Sequence, residues 1–352
     1  MSSTPSPTAP GPHLAIGRIT PVDVHDPAVR AAVAAAAAAL TRPGLRDILA
    51  VRTAIQQFLG AELAAAGYVH PPVYMLSGCT DPLNHQTWPA RLGYYGDEVS
   101  VTQSLILQKM LLVMLSPATR VFWASPNIRM EMGVAARGHK YASEFMQVDF
   151  EARDATMGGM IAFIGGLLAR LHTHLNDVCA DELRRVRGSL LPDLARPPAV
   201  YDAAWEKSRR GLSRDDEVEA ALAEECGDRP FILTNLAREA YDCLDRVSGR
   251  FLNYDVVYPP CGANPHPVEC LSGAERTRSL PDLRERMEEL GYPLAYFEPF
   301  FALFAAARPE AEAITCAGGG FGVERLAYAL LGLRDIHEVY PLPRPAEGRI
   351  AV

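Results

Sequence analysis

The stretch that most constrains the fold lies between Val121 and Glu151. Two runs, 121–132 and 143–151, alternate in polarity and flank a glycine-containing loop. That pattern predicts an antiparallel strand pair with a long connection. Side chains of a strand alternate between faces, so Arg129 and Glu131 share one face, as do Phe145, Gln147, Asp149 and Glu151. One sheet face then carries a cation, several acceptors and an aromatic ring where an interior would be apolar. Buried charges at that density are costly unless they pair with each other or meet a ligand. The chain is therefore expected to build a sheet with one face kept for a polar ligand.

The rest of the sequence supplies enough material for one large core. It has 352 residues, 49% hydrophobic and 22% charged. Residues 1–20, rich in Ser, Pro, Thr and Gly, read as a disordered arm, and 21–352 as one folded domain. From about Asp26 to Ala66 the sequence is Ala-rich and helix-favouring, with Leu45, Ile48, Leu49, Ile55, Phe58, Leu59 and Leu63 at helical spacing and Gly67 as a stop. Tyr68 to Val73 reads as a short strand interrupted by prolines. Strand-like pieces between Leu92 and Ser104 are joined by a Tyr95-Gly96-Asp97 turn. Helices are expected near 105–115, 157–176 and 283–290, and strands near 231–236, 251–257 and 268–271. Residues 181–230, with prolines and many charges, read as a variable helical insert. Helices and strands mix without a regular βαβ rhythm, so the fold class is α+β with a largely antiparallel sheet flanked by helices.

Bulk properties exclude some functions. No run of eighteen or more apolar residues occurs, so no membrane span is expected, and the start lacks a secretory signal pattern. Seven cysteines stand singly without zinc spacing and read as reduced thiols in a cytoplasmic protein. The formal net charge of −8, with no long Lys/Arg run, argues mildly against a protein that grips nucleic acid.

A second signal is Gly318-Gly319-Gly320-Phe321-Gly322-Val323-Glu324-Arg325-Leu326, read as a Gly-rich turn opening a helix over 316–333. Together with the Arg129/Glu131 to Glu144–Glu151 block it resembles the catalytic core of class II aminoacyl-tRNA synthetases of the aspartate/asparagine/lysine subgroup. The first block is similar to motif 2 and the second to motif 3. Gly67-Tyr68-Val69-His70-Pro71-Pro72 after a long helix is similar to the more degenerate motif 1, a dimer element. The resemblance covers about 50–345. It implies ATP and Mg²⁺ as cofactors, a homodimer, and catalysis by Arg129 and Arg325. Arg129 would hold the α-phosphate and the activated carboxylate, where a fixed guanidinium stabilises developing charge. Glu131 would accept from the adenine amino group and Phe145 stack on its ring. Arg137 and His139 would meet the outer phosphates, and Arg325 lie over the adenine near the γ-phosphate. Asp255 and Glu269 would hold Mg²⁺, as hard oxygen donors suit it. Gln147, Ser272 and Arg276 fall to the substrate, with Arg276 where aspartate enzymes meet a side-chain carboxylate. Asp81 could take the substrate ammonium, or could be a turn residue.

Departures from the pattern shape the functional reading. In Thr102-Gln103-Ser104-Leu105-Ile106-Leu107-Gln108, Ser104 and Leu107 are read at the places of a substrate-reading Gln and Lys. The loop from Glu131 to Glu144 is long, a histidine before motif 3 is replaced near Cys316, and 259–267 enlarges the stretch between Asp255 and Glu269. The sequence before motif 1 fits no anticodon-binding barrel, so tRNA is not the expected partner. The expected activity is that of an AMP-forming, amino-acid-activating ligase. It would adenylate aspartate or a close analogue and transfer the acyl group to ammonia or a small amine, as in truncated archaeal-type asparagine synthetases. Transfer to a tRNA or carrier protein is one alternative. A catalytically silent, amino-acid-binding regulatory paralogue is another.

Overall fold

The computed structural model describes residues 23–81, 83, 87–133, 135–237, 240–307 and 314–345, without the side chains of 135–137. The arm expected over 1–20 lies outside the described residues. Two helices open the described chain, α1 (Pro27–Leu40) and α2 (Leu45–Ala65). In α2 the buried Ile48, Val51, Ile55, Leu59 and Leu63 recur every three or four residues and form one apolar stripe. Gly67, at φ +83°, ends the helix, and Tyr68 N–H returns to Leu63 O at 3.0 Å, the left-handed stop that glycine permits. The strand expected over 68–73 is reduced to a single parallel bridge between Val69 and Val121. Pro71 and Pro72 have no N–H to continue a ladder.

The central sheet has seven strands: β1 (Arg120–Ile128), β2 (Glu144–Arg153), β3 (Ala199–Asp202), β4 (Phe231–Thr234), β5 (Asn253–Tyr258), β6 (Val268–Glu275) and β7 (Cys316–Gly322). Their spatial order is β1-β2-β7-β6-β5-β4-β3. Every pair is antiparallel except β3 with β4. The parallel pair is joined through α6 (Ala203–Arg210) and α7 (Asp215–Cys226). Pro126 is tolerated in β1 because β1 is an edge strand. The run expected as one strand to Met132 instead breaks at Arg129, and Met130–Glu131 pairs with Thr87–Trp88 outside the main sheet.

The glycine triplet, expected as a turn, is the middle of strand β7, an interior strand third from the β1 edge. A Cβ on Gly318 would lie 2.6 Å from Glu151 Oε2 and collide with Phe150 O; one on Gly319 would lie 2.9 Å from Ser272 O. Glycine in a strand here marks close approach rather than a bend.

The two faces of the sheet differ as the period-two reading expects. Phe122, Val148, Phe150, Tyr254, Val256, Leu271 and Phe321 point to one side and pack on α2, α4 (Met157–Val178) and α10 (Val323–Leu331). The other side is covered toward β1 by α3 (Ile106–Leu115), α8 (Leu280–Glu289) and α9 (Leu294–Ala307), through Met110, Val113, Trp123, Met287, Phe297 and Phe300. Toward β3 it is bordered by α7, which packs Val218 and Leu222 with Phe231 and Leu233. Between these two blocks the centre of the face is left open. The segment 181–230 thus contributes α6, α7 and β3, as well as most of α5 (Ala180–Val186).

Candidate active site

The open centre holds a cavity of about 530 Å³. Strand register explains what lines it. Trp123, Asp149, Gly320, Ser272 and Asp255 pair in sequence across five strands and therefore share one face. The neighbouring row runs Val121, Glu151, Gly318, Ala274, Asn253. Carboxylates from β2 and β5 are thus separated by glycines, which leave room for a ligand above the sheet.

Glu269 reaches the same face only because the ladder is irregular. Val256 pairs with Leu271 but Val257 pairs with Glu269, a bulge that leaves Cys270 as the extra residue. A regular strand would put Glu269 and Ser272 on opposite faces; the extra residue restores a common one. Asp255, Glu269 and Ser272 all line the cavity. Their oxygens are the donors Mg²⁺ takes, and among the described residues no set of three His, Cys, Asp or Glu side chains could hold a metal. Two carboxylates, with phosphate and water completing the shell, fit that ion's habit.

The closed end is a buried charge network. Lys109, Asp149, Glu151, Asp242 and Arg276 are each 0–3% exposed. Lys109 Nζ bonds Asp149 and lies 3.4 Å from Glu151 Oε2. Arg276 donates twice to Glu151, at 3.0 Å each, and approaches Asp242 Oδ1 at 3.5 Å. Asp242 accepts from Asn253 Nδ2 at 2.8 Å. Burial pushes the Asp149 carboxyl up even though Lys109 pulls it down. Burial draws Arg276 down, but Glu151 and Asp242 outweigh it and the net direction is up. Above this network Tyr241 OH donates to Asp81 at 3.2 Å, and Asp81 Oδ1 also accepts from Leu83 N–H at 3.0 Å. Asp81 is thus a turn residue and a cavity carboxylate at once. Gln147 accepts from Asn127 Nδ2 at 2.5 Å.

The other end carries Arg129, Glu131, Phe145 and Arg325. Arg129 Nε donates to Gln103 O at 2.9 Å, and its guanidinium sits 5.1 Å from the Phe145 ring centroid. Arg325 is braced by Lys140 O at 3.3 Å, Glu269 Oε1 at 3.5 Å and the Tyr141 ring at 5.5 Å. Burial lowers the Arg325 pKa and Glu269 raises it, with a net rise. Its neighbour Glu324 is structural: it pairs with Arg52 of α2 at 2.7 Å and accepts Met146 N–H at 2.8 Å.

Ten of the residues singled out in the sequence therefore meet at one cavity: Asp81, Arg129, Glu131, Phe145, Gln147, Asp255, Glu269, Ser272, Arg276 and Arg325. His139 does not line it; Lys140 and Tyr141 beside it do. Arg137 belongs to the short 3₁₀ helix Ala135–Lys140, and its side chain lies outside the described residues. The reading of Ser104 and Leu107 is corrected. Ser104 lines the cavity, but Leu107 is buried in the apolar cluster on α3, and the cation of that helix is Lys109. Helical geometry decides this, since Ile106 and Lys109 are three apart and share the cavity-facing side. A lysine inside the apolar run 105–115 was the available signal. Tyr241, Asp242 and the insert residues Arg214, Asp215, Asp216 and Glu219 also line the cavity, and no sequence spacing marks them.

Comparison with known proteins agrees with this architecture. Residues 30–346 match the family tRNA synthetases class II (D, K and N). The aspartate–tRNA(Asp/Asn) ligase of Archaeoglobus fulgidus is 26% identical over 322 residues, covering 87% of this chain and 69% of the ligase. The asparagine–tRNA ligase of Nitratidesulfovibrio vulgaris is 27% identical over 316 residues, 79% of this chain and 65% of its own. Asparaginyl-tRNA synthetase from Pyrococcus horikoshii, complexed with asparaginyl-adenylate, shares the fold with a TM-score of 0.74 at 19% identity, over 87% of this chain and 70% of that one. The chain belongs to the class II tRNA synthetase family of the D, K and N type, an AMP-forming, amino-acid-activating group of ligases that uses ATP and Mg²⁺.

Proposed function

We propose that this enzyme activates a carboxylate of aspartate, or of a close analogue, as an acyl-adenylate and passes the acyl group to ammonia or a small amine. The observation that carries this reading is the pairing of two cation sets in one cavity. Lys109 and Arg276 sit at the closed end, Arg129 and Arg325 at the other. A small dicarboxylate can address both, one carboxylate held at the closed end and the other presented beside Arg129. Asp81, which accepts from Tyr241 OH at 3.2 Å and lines the cavity, would take the substrate ammonium.

Attack of the presented carboxylate on the α-phosphorus of ATP builds negative charge on phosphoryl oxygens, and pyrophosphate leaves. Arg129, its guanidinium held by Gln103 O and the Phe145 ring, would stabilise that charge. Phe145 and Glu131 would seat the adenine, and Arg325 would steady the outer phosphates. Asp255 and Glu269, with Ser272 beside them, would hold Mg²⁺, which supplies charge neutralisation on the phosphates. Catalysis is positional and electrostatic, and no side-chain nucleophile is required. Gln147 would orient the acid through its amide, itself fixed by Asn127.

A homodimer belongs to this proposal. Val69, Tyr74, Leu76, Leu92 and Tyr94 leave large apolar side chains exposed around the segment similar to motif 1, and a second copy would cover them.

The test is amino-acid-dependent ATP–pyrophosphate exchange without tRNA, over aspartate, asparagine and their analogues, followed by amide formation with ammonium. Aspartate-dependent exchange with amide product is the expected result. The names of the relatives favour a second acceptor, tRNA. Exchange that requires tRNA, or acyl transfer to tRNA with no amide from ammonium, would replace the amine acceptor with that one.

A further inference from the structure

The loop 259–267, enlarged between the two metal-holding candidates, is built to be rigid. Gly262 has φ +57°, and a Cβ there would meet Gly332 O at 2.8 Å. Ala263 N–H donates to that same oxygen at 2.8 Å. Cys261 Sγ reaches Ala329 O at 3.1 Å, and Tyr328 OH donates to Asn264 Oδ1 at 2.7 Å. The Asn264 side chain closes the turn, donating to His266 O at 2.8 Å and accepting His266 N–H at 3.0 Å. The loop is thus bolted to the C-terminal end of α10, and it presents one ring outward. That ring, His266, stacks on His139 with centroids 4.3 Å apart and planes 28° apart.

His139 belongs to the 3₁₀ helix Ala135–Lys140, which lies in the chain between Arg129 and strand β2, the strand that carries Phe145. The next two residues, Lys140 and Tyr141, form the cavity wall, and both brace Arg325. We propose that His266 is a positioning residue: its stack on His139 holds the 135–141 segment against the site, so that Lys140 and Tyr141 are in place for the outer phosphates of ATP before any acceptor arrives. The proposal rests on ATP occupying this cavity, and it gives the enlarged loop a task that the chemistry alone does not assign. His266 touches no reacting atom, since it acts through His139.

Two measurements on the full chain test it. The first needs no nucleotide: limited trypsin digestion reads cleavage after Arg137 and Lys140. His266→Ala should speed cleavage there by about three- to tenfold, the opening expected on losing one aromatic stack. His266→Phe, which keeps a ring, should restore protection. Unchanged cleavage in His266→Ala overturns the clamp whatever the protein binds. The second is calorimetric binding of Mg²⁺·ATP against AMP. His266→Ala should weaken ATP by a similar factor and leave AMP within about twofold, because AMP lacks the outer phosphates. Lys140→Ala should weaken ATP selectively as well, and the double variant should lose less than the product of the two single losses. Parallel loss of ATP and AMP, or fully multiplicative losses, would overturn the assignment.

Discussion

Replacing Lys109 by methionine is the sharpest test of how the closed end works. The side chain is 2% exposed and its ammonium serves both Asp149 and Glu151. Methionine is apolar and of similar length, so it fills nearly the same buried volume. What changes is charge: Asp149, Glu151 and Asp242 would then face Arg276 alone. Breaking a buried pair by removing one partner costs roughly 3–5 kcal/mol, because the other charge stays desolvated. For a chain of this size that corresponds to a fall of about 4–7 °C in Tm. Urea unfolding and calorimetry measure it. Asp149→Asn in the same background removes the stranded carboxylate and should recover at least about half of the loss. Aspartate-dependent exchange should fall by about 100-fold or more, with AMP binding unchanged, since the Arg129 end is untouched. A Lys109→Met protein within about 1 kcal/mol of the parent, or a double variant no more stable than the single one, would refute the reasoning about charge. Retained exchange would show that the acid is not read at this end.

Other expectations follow from the same geometry. Arg129→Ala should reduce adenylate formation about 100- to 1,000-fold with an unchanged circular dichroism spectrum; full turnover would remove Arg129 from the chemistry. Gly320→Ala should weaken substrate binding more than stability, because its Cβ would push the ends of Gln147 and Asp149, the latter at 2.9 Å. Gly318→Ala should instead destabilise the sheet, because its Cβ would strike the Phe150 backbone; equal stability of the two variants in urea would contradict this. Glu219 lies in the cavity on α7, where burial, then Glu269 and Asp255, raise its pKa to about 8 against the pull of Lys140. The folded value lies above the ordinary 4.5, so the folded state keeps a proton that the unfolded chain has released. The associated stability is complete below that unfolded value and is lost as pH rises through 8. Without nucleotide or Mg²⁺, the parent should therefore lose stability between pH 5 and 8 by up to about 1.4 kcal/mol per pH unit, and Glu219→Gln should flatten that slope. Matching pH profiles of the two proteins would sink the assignment.

How much of this site could be read in the sequence depends on whether a residue's direction follows from its neighbours along the chain. In β2 it does. Phe145, Gln147, Asp149 and Glu151 alternate with apolar residues, and the strand is regular, so period two alone puts all four on the cavity face. For Asp255 and Glu269 it does not. The bulge between Val256 and Val257 changes which face Glu269 takes, and no composition rule announces a bulge at Cys270. The family resemblance named the two acids; only the ladder explains how they share a side. The glycine triplet fails in the opposite way. Gly318-Gly319-Gly320 reads as a turn because glycine is abundant in turns, yet its neighbours on β2 and β6 come too close for any Cβ, a reason that lies in other strands. Lys109 shows a third case. Within Leu105–Leu115 it stands among apolar residues, and a buried lysine requires a counter-charge. The sequence alone can state that requirement, but the partners that meet it, Asp149 and Glu151, are about forty residues away on β2.

What unites these cases is that the cavity is assembled from register. Each of the four central strands donates residues from one row or the next, and each row is useful only if the glycines of β7 lie between the carboxylates of β2 and the polar groups of β6 and β5. Shifting β7 by one residue would place Phe321 on the ligand face and bring a glycine to the apolar core, filling the cavity and emptying the packing beneath it at once. Stability and function therefore select the same register. The apolar ring of Phe321, fully buried against α10 and α4, fixes the position of Gly320 above, and through it the space that the substrate and nucleotide would share.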